Sequence, residues 1–596
     1  MKSLALVFLF LAMNVYAQNT APTPAEAQEF MDKAEAQLSE LSVKVQRASW
    51  VQENFITEDT QAIAADAIDD VTAVTTQLVE QASRFDGLSL SPDLARKFML
   101  LKLSLTAPAP KDPALRREMT EIGVSLDADY GKGKYCRKNG DCLDITAIEK
   151  LMSTSRDPEA LKEVWTGWHS IAPPMRQRYS RFVDLSNQGA REIGFEDTGA
   201  LWRAGYDMTP GEFSADLERL WSQVRPLYLA LHTFVRWKLS EKYGPAVVPP
   251  DGPIPAHLLG NPWAQEWGNT YDLLGVPENK GGGVNVTELL KKKNLDPRAM
   301  VKYGEGFFTS MGFPPLPETF WQRSLFTKPA DRDVVCHASA WDLDNMDDLR
   351  VKMCIQIRGT DFVTIHHELG HNFYQRAYKD QPFMFKSGAN DGFHEAIGDA
   401  IALAITPEYL HKVGLLENLP QAGNDIPELL KQALDRVAFL PFGLMIDQWR
   451  WKVFSGEIKP ADYNKSWWEL RRKYQGIAPP VERTEADFDP GAKYHVAANV
   501  PYTRYFLAHI LEFQFYRALC RESGYKGPLH GCTFYGSKEA GAKFNKMLAM
   551  GQSKPWPDAL EVLTGERQTD AGALLEYFAP LKQWLDEQNK GKKVGW

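Results

Sequence analysis

Five consecutive residues, His367-Glu368-Leu369-Gly370-His371, set two imidazoles four positions apart with a carboxylate between them, inside an apolar run that includes Phe362, Val363, Ile365 and Leu369. Positions i and i+4 share one face of a helix, so a helix here lets both histidines reach one ion. The pattern is the zincin signature H-E-x-x-H: two neutral nitrogens for zinc, and a carboxylate that reaches the water at the open coordination position rather than the metal itself. The bland alternative is a core helix carrying two hydrogen-bonded histidines.

A zinc site of this kind needs a third protein ligand and groups that orient the first three. Downstream lies Gly392-Phe393-His394-Glu395-Ala396-Ile397-Gly398-Asp399, followed by an apolar helical run, Ile401 to Ile405. Glu395 and Asp399 are four apart and share a helical face. Glu395 is the natural third ligand, giving His2Glu plus an open position, the arrangement of catalytic rather than structural zinc. Asp399 is placed to hold a ligand histidine by its other ring nitrogen. A solvated acidic pair would be the ordinary reading of E-x-x-x-D, but two glycines and apolar neighbours argue for burial, and buried carboxylates need partners.

The chain has 596 residues, long enough for several domains, yet no Ser/Gly-rich or charge-block linker divides it and no internal repeat is detectable. Gly281-Gly282-Gly283 is its only glycine run and reads as a loop. One large unit with two subdomains flanking a cleft is expected. The net charge of −9 comes without a dense Lys/Arg stripe, which points away from nucleic-acid partners. Met1 to Ala17 has one lysine, an apolar core from Leu4 to Met13 and a Val-Tyr-Ala cleavage site, the form of a secretory signal peptide. That apolar run is too short to span a membrane, and no later segment is long enough, so no membrane anchor is expected. Export places the six cysteines in an oxidising compartment. Their spacing suggests neighbour pairing, Cys136 with Cys142, Cys336 with Cys354 and Cys520 with Cys532, although six cysteines allow many connectivities.

Periodicity is overwhelmingly helical, so the fold class is mainly α. Ala27, Phe30, Ala34, Leu38 and Leu41 recur at three-to-four spacing and predict one long amphipathic helix from Pro24 to Ala64, continued in style from Asp69 to Gln81. Glu212 to Lys238, Leu429 to Ile446 and Tyr502 to Ser523 read likewise. Strand signals are few: Val334 to Leu343 and Met353 to Arg358 predict a short antiparallel pair stapled by Cys336 and Cys354 just before the zinc helix. The edge of such a pair suits an extended peptide.

Three strings together are recognisable: Val334-Val335-Cys336-His337-Ala338-Ser339-Ala340-Trp341-Asp342, His366 to His371, and Gly392 to Asp399. They closely resemble the angiotensin-converting enzyme family of zinc peptidyl-dipeptidases. Gly252 to Asn261 and Phe488 to His495 extend the resemblance from about residue 20 to the C-terminus. It implies one catalytic domain over residues 18–596, largely helical, split by a deep groove with zinc at the bottom, partly lidded by N-terminal helices over roughly 24–100, and holding three disulfides in the neighbour pairing.

Carried over residue by residue, the resemblance implies zinc ligands His367, His371 and Glu395, Glu368 as base and Asp399 behind the metal. It puts His495 and Tyr505 at the reacting carbonyl, where donors aimed at a developing oxyanion contribute several kcal/mol. His337 and the backbone of Ala338 fall where the peptide is held beside the scissile bond. Gln265, Lys493 and Tyr502 fall where dipeptide-releasing members grip the terminal carboxylate. A branch that releases single residues carries Arg in place of Gln265, so Gln265 argues for dipeptide removal. Chloride activates family members at two sites. The second matches Tyr206 and Arg504; at the first, Trp467 and Arg471 match, but His169 stands where vertebrate members have Arg, and a neutral histidine brings no fixed charge. Chloride activation is therefore expected through the second site.

The expected activity is removal of dipeptides from the C-terminus of oligopeptides. A single-residue carboxypeptidase on the same scaffold and a non-catalytic exported peptide-binding protein are the rivals; the intact ligand set speaks against the latter. The expected setting is a secreted or periplasmic monomer of bacterial type.

Overall fold

Long amphipathic segments with strong caps leave this chain little choice but helix, and a computed structural model shows where each one starts and stops. It describes residues 21–277, 284–420 and 425–596. The leader Met1 to Ala17 and the glycine run 281–283 lie outside the described residues. Among the described residues helices dominate, with three two-stranded sheets.

The N-terminal region is a helical hairpin: α1 (Pro24–Asn54) and α2 (Glu58–Ala82), followed by α3 (Pro92–Leu103). The single helix expected from Pro24 to Ala64 is thus two. Thr57 caps α2 through reciprocal bonds with Thr60, and the intervening turn is stitched to a distant segment by Ile56 N–H to Asp333 O (3.2 Å) and Val335 N–H to Glu53 O (2.8 Å). Periodicity cannot register such a break, because the cap lies between two segments of the same period. Ala27, Met31, Ala34, Leu38, Val79 and Phe98 form a satellite core under these helices. Lys97 to Glu35 (2.6 Å) and Lys352 to Glu53 (2.5 Å) fasten them to one another and to the body.

The main core runs from Leu126 to Leu585. Its centre is a helix buried nearly all round, numbered here after α4 (Pro210–Tyr243), α5 (Gly359–Ala377) and α6 (Phe393–Leu403): α7 (Ile426–Phe454), which packs on α4 and on α8 (Thr503–Glu522). The three later helical tracts expected from sequence correspond to α4, α7 and α8.

Of the sheets, β1 (Lys134–Cys136) pairs with β2 (Cys142–Asp144), and β3 (Ile254–Pro255) pairs in parallel with the distant β6 (Ile477–Ala478). The hairpin before α5 is β4 (Ser339–Asp342) against β5 (Leu349–Lys352), with Trp341 opposite Arg350. The expected second strand, Met353 to Arg358, is displaced toward the N-terminus. Asp344 Oδ1 accepts the N–H groups of Met346, Asp347 and Asp348 and closes the turn early. Met353 and Ile355 instead bond to Leu325 and Phe326. Cys336–Cys354 does staple this unit, and Cys136–Cys142 and Cys520–Cys532 are the other disulfides. No described helix is long and apolar enough to cross a membrane.

Candidate metal centre and peptide-binding site

Phe362, Ile365, Leu369 and Phe373 bury one face of α5 and thereby aim His367 and His371 from the other. Their Nε2 atoms stand 3.1 Å apart, and Glu395 Oε2 on α6 is 3.6 Å from His367 Nε2. Two imidazole nitrogens and a carboxylate oxygen at these separations span the edges of a tetrahedron, which for zinc–nitrogen bonds near 2 Å are about 3.3 Å. The donor set therefore fits zinc. Without a cation, burial lowers the pKa of His371 to about 3, leaving it neutral as a ligand must be. Burial also opposes protonation of His367, but hydrogen bonds to Asp399 and Glu395 outweigh it and raise its pKa.

The close approach of α5 and α6 depends on two glycines. A Cβ at Gly370 would lie 2.9 Å from the Cα of Gly398, and one at Gly398 would lie 2.7 Å from Nδ1 of His367. That same Nδ1 is 3.2 Å from Asp399 Oδ1. Burial tends to raise the pKa of Asp399, yet Arg436, whose Nη2 is 3.8 Å away, and His367 hold it well below the usual carboxylate value. Arg436 also pairs with the buried Glu512, and His509 Nδ1 is 3.4 Å from Glu512. Asp399, His509 and Glu512 form a second metal-like cluster; the Arg436 guanidinium already compensates its charge. On the other side His371 Nδ1 meets His394 Nδ1 at 3.3 Å. Sequence reasoning missed Arg436, His509, Glu512 and the part played by His394: they come from α6, α7 and α8, and no local spacing joins them.

Glu368 is 8% exposed; burial raises its pKa, while His367, His337 and Lys352 work the other way. His337 is exposed, with Nδ1 2.9 Å from the carbonyl oxygen of Ala338, the residue just before β4.

Asp447 and Arg450 of α7 organise two further segments at once. Asp447 Oδ2 accepts the N–H groups of Tyr502 and Thr503, each at 2.7 Å, which caps α8 and orients Tyr505 one turn on. Arg450, paired with Asp447, donates to the carbonyl of His495 at 2.7 Å. The rings of His495 and Tyr505 consequently meet edge-on, 5.7 Å between centroids. Burial, with Lys493, Arg450 and Arg504, lowers the pKa of His495 to about 3, so its ring is a neutral donor. Burial keeps Tyr505 protonated, and the charge of Glu395 adds to that effect.

Lys493 is 5% exposed, and its ammonium donates to Gln265 Oε1 at 2.6 Å over the rings of Trp263, Phe442 and Tyr502. Burial lowers its pKa to about 7. Ala264, just before Gln265, holds φ at +51° and is anchored by bonds to its carbonyl from Trp267 and Gln475. Such a conformation costs about 1 kcal/mol or more and persists only where the surroundings impose it.

Tyr206 and Arg504 are brought together, but through Asp391, which hydrogen-bonds Tyr206 and lies 3.3 Å from Arg504 Nε. The position expected to take chloride already faces a carboxylate. Arg471 is 3% exposed and lies 5.8 Å over Trp467; it donates to Trp263 O at 2.6 Å, and its Nε has no hydrogen-bond partner among the described residues. His169 is stacked on Trp165, and burial lowers its pKa to about 4.

Fold and site together define a mainly helical protein with a gluzincin-type His2Glu centre. A family model of angiotensin-converting enzyme, peptidase M2, matches residues 21–596. The angiotensin-converting enzymes of Rattus norvegicus and Theromyzon tessulatum are similar to it, at 42% identity over 594 residues and 40% over 584. These alignments cover 97% and 96% of this chain, but 45% of the former protein and 94% of the latter. The chain belongs to the angiotensin-converting enzyme family. It spans about half the length of the mammalian relatives it matches.

Proposed function

We propose that this protein is a zinc peptidyl-dipeptidase that cuts two residues from the C-terminus of oligopeptides. The observation that carries the reading is the Lys493–Gln265 contact: a buried ammonium whose hydrogen-bonding partner is a neutral amide suits a substrate carboxylate, and a fixed grip on that carboxylate fixes the bond to be cut. His367, His371 and Glu395 would hold zinc, which when bound supplies Lewis acidity that lowers the pKa of water and polarises a carbonyl. Glu368 takes the proton from the attacking water. Tyr505 and His495, both neutral donors, steady the oxyanion. Glu368 then passes its proton to the departing amine. His337 and the Ala338 backbone hold the peptide next to the cut, and Tyr502 assists Lys493.

Chloride is read as an activating anion. Arg471 supports this best, as a buried guanidinium with no carboxylate within ion-pair distance among the described residues. The leader read in the sequence, with three disulfides, supports a secreted or periplasmic location. The test is hydrolysis of a blocked tripeptide by metal-loaded protein. Release of an intact dipeptide is expected; a single free amino acid would favour the carboxypeptidase reading, and no cleavage by protein shown to hold zinc would favour a binding protein.

A further inference from the structure

Beside the Lys493–Gln265 contact opens a cavity of about 770 Å³ whose lining includes Trp263, Gln265, Glu149, Glu266 and Asp435. That is ample for one long side chain. None of the three carboxylates lies within ion-pair distance of a Lys or Arg among the described residues, and Asp435 accepts only the Gly268 N–H, at 3.0 Å. Burial raises the pKa of Asp435 to about 6, with Glu266 adding to the effect against the Gly268 N–H, Arg436 and His509; burial also raises Glu149, with Lys493 opposing and Glu266 adding. Lys150 and Lys431 also line the cavity; the Lys431 ammonium sits 4.9 Å over the ring of Tyr271.

A second observation points to a ligand at the same place. Lys493 is 5% exposed, and among the described residues its hydrogen bond goes to a neutral amide, while Glu266 and Glu149 favour its charge from further off. The hydroxyl of Tyr502, a residue 3% exposed and within the field of Glu266, makes no hydrogen bond among the described residues. Both suit a carboxylate arriving from outside. Gln265 both accepts from Lys493 and lines the cavity, so a carboxylate placed at Lys493 would have the cavity beside it.

We infer that this cavity selects peptides whose last residue carries a cationic side chain, lysine or arginine, with Glu266 and Asp435 as the selecting carboxylates and Glu149 in support. Opposite charges across a partly solvated pocket discriminate modestly, and they do so in a salt-dependent way. The inference rests on the dipeptide-releasing reading above.

The experiment compares blocked tripeptides identical but for a last residue of lysine, norleucine or glutamate, at fixed chloride, scoring both product and kcat/KM. Lysine should exceed norleucine about tenfold at low ionic strength, and glutamate should be poorest. In the double variant Glu266→Gln/Asp435→Asn the lysine-to-norleucine ratio should fall toward one. Glu266→Lys, a second route should the double variant fold poorly, should move preference toward glutamate. Dipeptide release with no preference for lysine, or a preference untouched by both variants, overturns the inference while leaving the dipeptidase reading in place. Absence of dipeptide from every substrate overturns both.

Discussion

Nδ1 of His367 lies against the bare Cα of Gly398, so close that a methyl group there would come within 2.7 Å of it. This ring nitrogen also faces Asp399, so the contact fixes which way the imidazole can turn. Gly398→Ala should displace His367 and weaken zinc binding about 10- to 100-fold, the usual cost of disturbing a ligand's outer partner. Zinc retention against a graded chelator, with circular dichroism to show that the helices persist, measures this. Wild-type retention would show that the helices part without harm.

On the proposed mechanism Glu368→Gln removes the proton acceptor but leaves His367, His371 and Glu395 in place. Turnover should fall by a factor of about 100 or more, with zinc content unchanged. Substantial hydrolysis by a variant with full metal content would be incompatible with the assigned base.

If Lys493 grips the substrate as proposed, binding acquires a pH dependence with a definite sign. Burial lowers its pKa to about 7 in the free protein, so the ammonium is present below that pH and lost above it. A substrate carboxylate favours the charged form, so KM for peptides with a free C-terminus should be low below about pH 7 and climb as pH rises through it. Peptides with an amidated C-terminus, and the variant Lys493→Met, should lack this rise.

Asp391 stands where an anion would otherwise neutralise Arg504 beside Tyr206. Asp391→Asn should therefore lose activity in chloride-free buffer, about tenfold, and regain it on adding chloride or formate. Activity of that variant that does not respond to either anion would mean that Asp391 is not acting as a tethered anion. Any chloride response of the unaltered protein should then be abolished by Arg471→Met.

The sequence disclosed the His367, His371 and Glu395 cluster because its spacing is local. His367 and His371 share a helical face, and so do Glu395 and Asp399. It also disclosed the helical class and the positions of α4, α7 and α8, because each is a long apolar-rich run that is helical in its own right. It misjudged the N-terminal helix, where Thr57 starts a second helix of the same period, and the second strand of the hairpin, where Asp344 closes the turn early.

What the chain alone determined, then, is the set of groups its helices present: two imidazoles and two carboxylates on faces set by a period of 3.6 residues. Only tertiary structure decided how those faces meet. Gly370 against Gly398 sets the crossing of α5 and α6, Asp447 and Arg450 bring His495 and Tyr505 ring to ring, and Asp391 turns an expected chloride position into an internal ion pair. Packing and charge compensation act between residues far apart in the chain, and a one-dimensional period carries no record of which distant side chain will fill a gap or balance a charge.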